Sequence, residues 1–128
     1  MTNKTMLKIL DLMVTEEKSE YIRKGADYAV ESDCLNNFKQ TGQELGITPL
    51  QVWFIFFKKH VDAIASYCGG KKLQTEDIRS RIKDGRVYLA LLRGIVEEET
   101  SEERDSLDPD VLTRRWEKQL EEEVGIDD

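Results

Sequence analysis

The stretch Thr48-Pro49-Leu50-Gln51-Val52-Trp53-Phe54-Ile55-Phe56-Phe57-Lys58-Lys59-His60-Val61-Asp62-Ala63-Ile64-Ala65-Ser66-Tyr67-Cys68-Gly69-Gly70 decides the fold. Thr48 is a good N-cap, and Pro49 suits the first helical position, where no backbone N–H is needed. Gly69-Gly70 is an equally plain stop. Between them Val52 to Phe57 cover most of the helix circumference, and a helix apolar all round is buried on several sides. The spacing therefore predicts a helix over Pro49 to Cys68 at the centre of a bundle. Trp53, Phe56, Phe57 and Ile64 are expected among its most buried residues.

Working outward, Leu7, Leu10, Val14 and Tyr21 recur at helical spacing, which predicts an amphipathic helix from about Thr5 to Lys24. Residues 25 to 34 carry no such stripe and read as a loop holding Asp27, Tyr28, Glu31 and Asp33. Leu35 to Leu45 reads as a short helix closed by Gly46. Beyond Gly70, Thr75 is expected to cap a fourth helix with Glu76 and Asp77 in its first turn. Its buried stripe is Ile78, Ile82, Tyr88, Leu89, Leu92 and Val96, and Arg79, Arg81, Lys83 and Arg86 make the rest of it basic. After Val96 the composition shifts to an acidic linker, and Asp108-Pro109 starts a last helix with Leu112, Trp116 and Leu120 at spacing four. With no strand-like alternation, the fold class is all-α, a compact helical bundle of four to five helices. The expected organisation is a bundle domain over 1–96, with an acidic linker and C-terminal helix over 97–128.

The formal net charge of −7 hides an asymmetry. Residues 97 to 128 hold 14 acids and 4 bases, a net −10, whereas residues 1 to 96 hold 12 acids and 15 bases, a net +3. A mildly basic body attracts phosphate, and an acidic tail opposes nucleic acid. The longest wholly apolar run, Val52 to Phe57, is too short to span a bilayer. Met1 to Lys8 lacks the apolar core of a signal peptide. The expectation is a cytoplasmic protein whose Cys34 and Cys68 stay reduced. They lack the ligand spacing of a zinc site.

The chemistry-bearing inventory is thin. His60 is the single histidine, so Cys34 with His60 is the one nucleophile–base pair open to the chain. No phosphate-cradling glycine loop, nucleophile elbow or HExxH is present. Lys58, Lys59, His60 and Asp62 interrupt the most apolar helix. Lys59 and Asp62, three apart, share a side. Buried charges need partners, so these groups pair either with one another at the bundle surface or with a ligand. Asp84 and Tyr88, four apart, share a face of the fourth helix.

Taken in order, Lys24-x-x-Asp27-Tyr28, Asn37-Phe38, Gly46-Ile47-Thr48-Pro49, Lys59-His60 and Asp84-x-x-x-Tyr88-Leu89-x-Leu91-Leu92 resemble the nucleotide modification associated domain family, found largely in phage genomes. The resemblance covers about residues 5 to 96. Through it the chain is distantly similar to the all-α nucleotide pyrophosphohydrolases, which hold Mg²⁺ on clustered carboxylates. It implies a nucleotide-sized pocket between helices and a dimer or larger assembly. Carried over residue by residue, it implies ligand-binding roles for Lys24, Asp27, Tyr28, Asn37, Phe38, Lys59, His60, Asp62, Asp84 and Tyr88. Cationic groups would meet phosphate, aromatic rings a base, and Asp and Asn hydroxyls or base edges. The chain departs from the pattern in places. Cys34-Leu35 stands where the family has Pro-Phe, and Val87 stands where it has Asn. Glu17-x-x-Glu20 is not followed by an E-x-x-D motif at the matching place. Mg²⁺ would draw only on Asp27, Asp62 and Asp84, so no metal ligand is assigned and cleavage stays open.

Two functions are therefore expected to compete. One is a phage-type nucleotide-binding protein that handles or sequesters its ligand. The other is a phage-encoded inhibitor that engages a host protein through the acidic C-terminal segment, with Trp116 and Leu120 as apolar anchors. A membrane partner and a nucleic-acid partner are not expected. A homo-oligomer is, because the central helix carries more apolar surface than a small bundle covers.

Overall fold

In a computed structural model the chain is all-α. The structure describes residues 1–24, 33–72, 76–101 and 107–124. Among them are five helices and no strand: α1 (Asn3–Lys24), α2 (Asn36–Leu45), α3 (Pro49–Cys68), α4 (Ile78–Thr100) and α5 (Pro109–Val124). No helix is long and apolar enough to cross a membrane. The chain divides into two units, Met1–Arg93 and Gly94–Asp128, with the division inside α4.

Local chemistry sets the ends of α3. The Thr48 side chain accepts from the Gln51 N–H, and the Gln51 side chain accepts from the Thr48 N–H, a closed capping box. Gly69 and Gly70 end the helix, Gly70 in the left-handed region at φ 91°. Gly46, at φ 71°, ends α2 in the same way. At Gly42 a Cβ would lie 2.7 Å from the Ile47 carbonyl oxygen, so only glycine lets the chain fold back tightly into α3.

α2 packs on α3 to form the core of the first unit. Leu35, Phe38, Val52 and Trp53 are buried, Val52 almost completely at 1 % exposure. Burying a side chain of that kind stabilises by roughly 1.5–3 kcal/mol. The Phe38 ring meets Phe56 and Tyr88 edge-on, and Trp53 stacks on Phe57 at 4.7 Å. The Trp53 indole N–H donates to the Tyr88 carbonyl oxygen at 2.6 Å and ties α3 to α4.

Several expectations are corrected. Trp53 is buried as expected, but Phe56, Phe57 and Ile64, expected among the most buried residues of α3, are half-buried, and Phe54, Ile55, Val61 and Tyr67 are exposed. α1 starts at Asn3, because the Thr2 hydroxyl accepts from the Thr5 N–H and caps it. Asp77, not Thr75, caps α4: its carboxylate accepts from the Arg79 N–H at 2.8 Å, which puts Glu76 and Asp77 ahead of the first turn. Thr75 lies outside the described residues. α4 runs four residues past Val96, since Glu97 to Glu99 are good helix formers and the Thr100 hydroxyl bonds back to the Val96 carbonyl.

In the second unit the Asp108 carboxylate accepts from the Asp110 N–H and starts α5. Ile95 is buried and Trp116 half-buried, but no residue of α5 is fully buried, and Leu120 and Val124 are exposed.

Candidate functional site

His60 is the one buried polar side chain among the described residues, at 9 % exposure. It reaches that place because it follows Trp53 by seven residues, two helical turns, on the inward side of α3. Gly85 gives α4 room beside it, with a Cβ there lying 3.9 Å from that of His60, an ordinary contact. The imidazole lies against the Tyr88 ring at 4.9 Å between centroids.

Arg81 approaches from α4, its Nη1 3.3 Å from His60 Nδ1. A guanidinium only donates, so Nδ1 is the acceptor and the neutral ring carries its proton on Nε2. Burial pushes the His60 pKa below its ordinary value. The positive charge of Arg81 adds to this, while Asp84 and Glu76 act against it. Arg81 is also ion-paired with Glu76. Its Nε is buried and finds no acceptor among the described residues. A buried N–H left without an acceptor is uncommon and costs free energy.

Beside this cluster, α1 is fastened to α4 by charge. Glu17 pairs with Arg86, and Glu20 with Lys83 at 3.6 Å; numbers rise on α1 as they fall on α4, so the helices run antiparallel. Lys24 lies 3.5 Å from Glu20 and 3.7 Å from Asp84. Glu20 is held down to about 2, chiefly by its hydrogen bond with Arg23, with Lys83 and Lys24 adding. α1 itself buries no residue, so these pairs, rather than an apolar face, attach its C-terminal half.

The expected site residues thus separate. Lys24, His60, Asp84 and Tyr88 come together. Phe38 touches Tyr88 but is buried in the core, its ring packed among side chains. Asn37 is exposed at the start of α2. Lys59 and Asp62 do not pair. Asp62 binds Lys58 one turn back at 2.7 Å, and Lys59 extends over the Phe56 ring at 5.1 Å. The reason is angular: Asp62 is two residues from His60, about 200° around the helix, and faces outward. Asp27 and Tyr28 lie outside the described residues.

Arg81, Glu76, Glu17, Lys83 and Arg86 were not expected at the site. The available signal was two matched pairs at spacing three, Glu17 with Glu20 and Lys83 with Arg86. Among the described residues the carboxylates do not fit a Mg²⁺ site. No three metal-ligating side chains converge among the described residues, and Glu17, Glu20 and Asp84 each lie against a base. Comparison with protein families, characterised proteins and solved structures gave no match.

Proposed function

We propose that the protein binds a nucleotide or a similar phosphorylated small molecule beside His60, between α3, α4 and the end of α1. The observation that carries this is Arg81: a half-buried guanidinium whose Nε–H finds no acceptor among the described residues, beside a cluster that also holds Lys24, His60 and a tilted Tyr88 ring. A phosphate oxygen satisfies that donor with a charge-assisted bond. Lys24 adds an exposed positive charge, Tyr88 offers a face for a base, and Asp84 is an acceptor for a ribose hydroxyl or a base N–H. The order of motifs shared with the nucleotide modification associated domain family adds support. Binding without cleavage, hence sequestration or handling, suits a cluster whose acids are already matched by bases.

Calorimetric titration with ATP, a cyclic dinucleotide, AMP and inorganic phosphate tests this. Arg81→Ala is expected to weaken binding by at least tenfold, the scale of a charged hydrogen bond. Lys59→Ala, on the outer side of α3, should leave it unchanged. Wild-type protein that binds none of the four ends the proposal.

A second function, engagement of a host protein through the acidic segment, is supported by α5. No residue of that helix is buried, and it displays Leu120 and Val124 among glutamates. Removing residues 108–128 should then abolish partner binding without changing nucleotide affinity.

A further inference from the structure

Arg81 holds its unmatched donor on a crowded edge. In a guanidinium, Nε–H and one Nη2–H point the same way, and a carboxylate or phosphate takes both at once. Here Glu76 meets that edge with one oxygen, Oε1, on Nη2, while His60 holds Nη1. Nε is left over and is buried, although the Arg81 side chain as a whole is only half-buried. An anion from solution therefore reaches Nε–H only when a neighbour gives way, and the neighbour on that edge is Glu76. Its position lets it leave. Among the described residues its carboxylate bonds Arg81 alone, and it lies ahead of the first residue of α4. The start of α4 is held by Asp77, whose carboxylate accepts from the Arg79 N–H and whose carbonyl accepts from the Ser80 N–H. The helix keeps its cap when Glu76 swings out.

We propose, resting on the nucleotide site described above, that the ligand carries a terminal phosphate and that this phosphate displaces Glu76 from Arg81. Glu76 is then a built-in stand-in for the ligand, and it keeps weaker anions out. A terminal phosphate has about −1.5 to −2 of charge near neutral pH and three acceptor oxygens. Two of those oxygens cover Nε–H and Nη2–H together, and the charge exceeds that of a carboxylate. A phosphodiester is a monoanion with one free oxygen fewer, so it has no advantage in charge over Glu76. Glu76 is also tethered, whereas a ligand loses translational and rotational freedom on binding. Only the stronger anion takes its place.

The test combines two ligands with three variants, each first shown by circular dichroism to be as helical as wild type. In calorimetric titration, wild type should bind AMP at least about tenfold tighter than the methyl ester of its phosphate, which lacks one charge and one free oxygen. Glu76→Gln keeps the size of the side chain and removes its charge. It should bind AMP about tenfold tighter than wild type, the scale of one charged hydrogen bond that no longer has to be broken. In an Arg81→Ala background the same substitution should change affinity little, because the contact that it relieves is gone. Asp77→Asn removes a charge one residue away, keeps a capping side chain and should leave affinity unchanged. A gain that persists without Arg81, or an equal gain in Asp77→Asn, would be a general effect of charge and would overturn displacement. Glu76→Gln that binds AMP no tighter than wild type overturns it as well, and a methyl ester that binds as tightly as AMP overturns the terminal phosphate. In those cases the site itself stands. Wild type and Glu76→Gln that bind none of AMP, ATP and inorganic phosphate end the site and the displacement together.

Discussion

His60 is buried next to a guanidinium, and that placement has a sign. The groups facing it are Glu76 from just ahead of α4, Arg81, Asp84 and Tyr88 from α4, and Lys24 from the end of α1. Its folded pKa lies below the ordinary 6.5, so between the two values the unfolded chain binds the extra proton. The contribution to stability is full above about 6.5 and is lost as the pH falls through the folded value. Urea melts from pH 8 to 5 should show falling stability in wild type and a flatter profile in His60→Gln; equal slopes would mean that the imidazole is solvated. Gly42 makes a different demand. An added methyl would meet the Ile47 carbonyl at 2.7 Å, and that atom belongs to backbone, so it cannot swing away. Gly42→Ala should lower stability by about 1–3 kcal/mol in a denaturant melt. Gly85→Ala, with its nearest side-chain neighbour at 3.9 Å, is the control and should change little.

Among the helices, α3 and α1 are held by different forces. The α3 start rests on the Thr48–Gln51 capping box, and Thr48→Ala should cost about 1 kcal/mol. α1 has no buried residue and relies on Glu17 and Glu20 against Arg86 and Lys83. Glu20 titrates at about 2 when folded and at 4.5 in its ordinary state. Its contribution is therefore present above about 4.5 and is lost as the pH falls toward 2. Protection against amide exchange in the C-terminal half of α1, measured relative to the unfolded chain at the same pH, should fall over that window in wild type and should be low at every pH in Glu20→Gln. Protection that ignores both pH and the substitution would contradict attachment by charge.

The same contrast explains what could be read from the sequence. The limits of α3 were legible because Thr48-Pro49 and Gly69-Gly70 act locally. The start of α4 was not, because Asp77 competes with Thr75 as a cap two residues away. The position of His60 was legible as a polar interruption in an apolar helix. Its partners were not: Arg81 is 21 residues distant, and no local pattern marks a guanidinium Nε–H that finds no acceptor among the described residues. Asp62 went to Lys58 rather than Lys59 because spacings of three and four both bring side chains together, and only the packed helix decides between them. The expectation that so apolar a helix is buried on several sides set Phe56, Phe57 and Ile64 too deep, because α3 is buried only at Val52, Trp53 and His60.

Across the described residues, these features make an all-α fold with a cationic, aromatic cluster on one side of α3 and the exposed apolar side chains of Phe54, Ile55 and Val61 on another. The cluster gives the chain its chemistry, and Arg81 is its least satisfied group. The measurement that bears on it most directly is a thermal melt of wild type and Arg81→Ala with and without a nucleotide at 100 times its dissociation constant. Wild type should gain about 2.7 kcal/mol of stability from the ligand, a shift of several degrees. Arg81→Ala, folded on its own, should gain far less from the same concentration. Equal shifts in the two proteins, or no shift in wild type with any nucleotide, would contradict a phosphate site at Arg81.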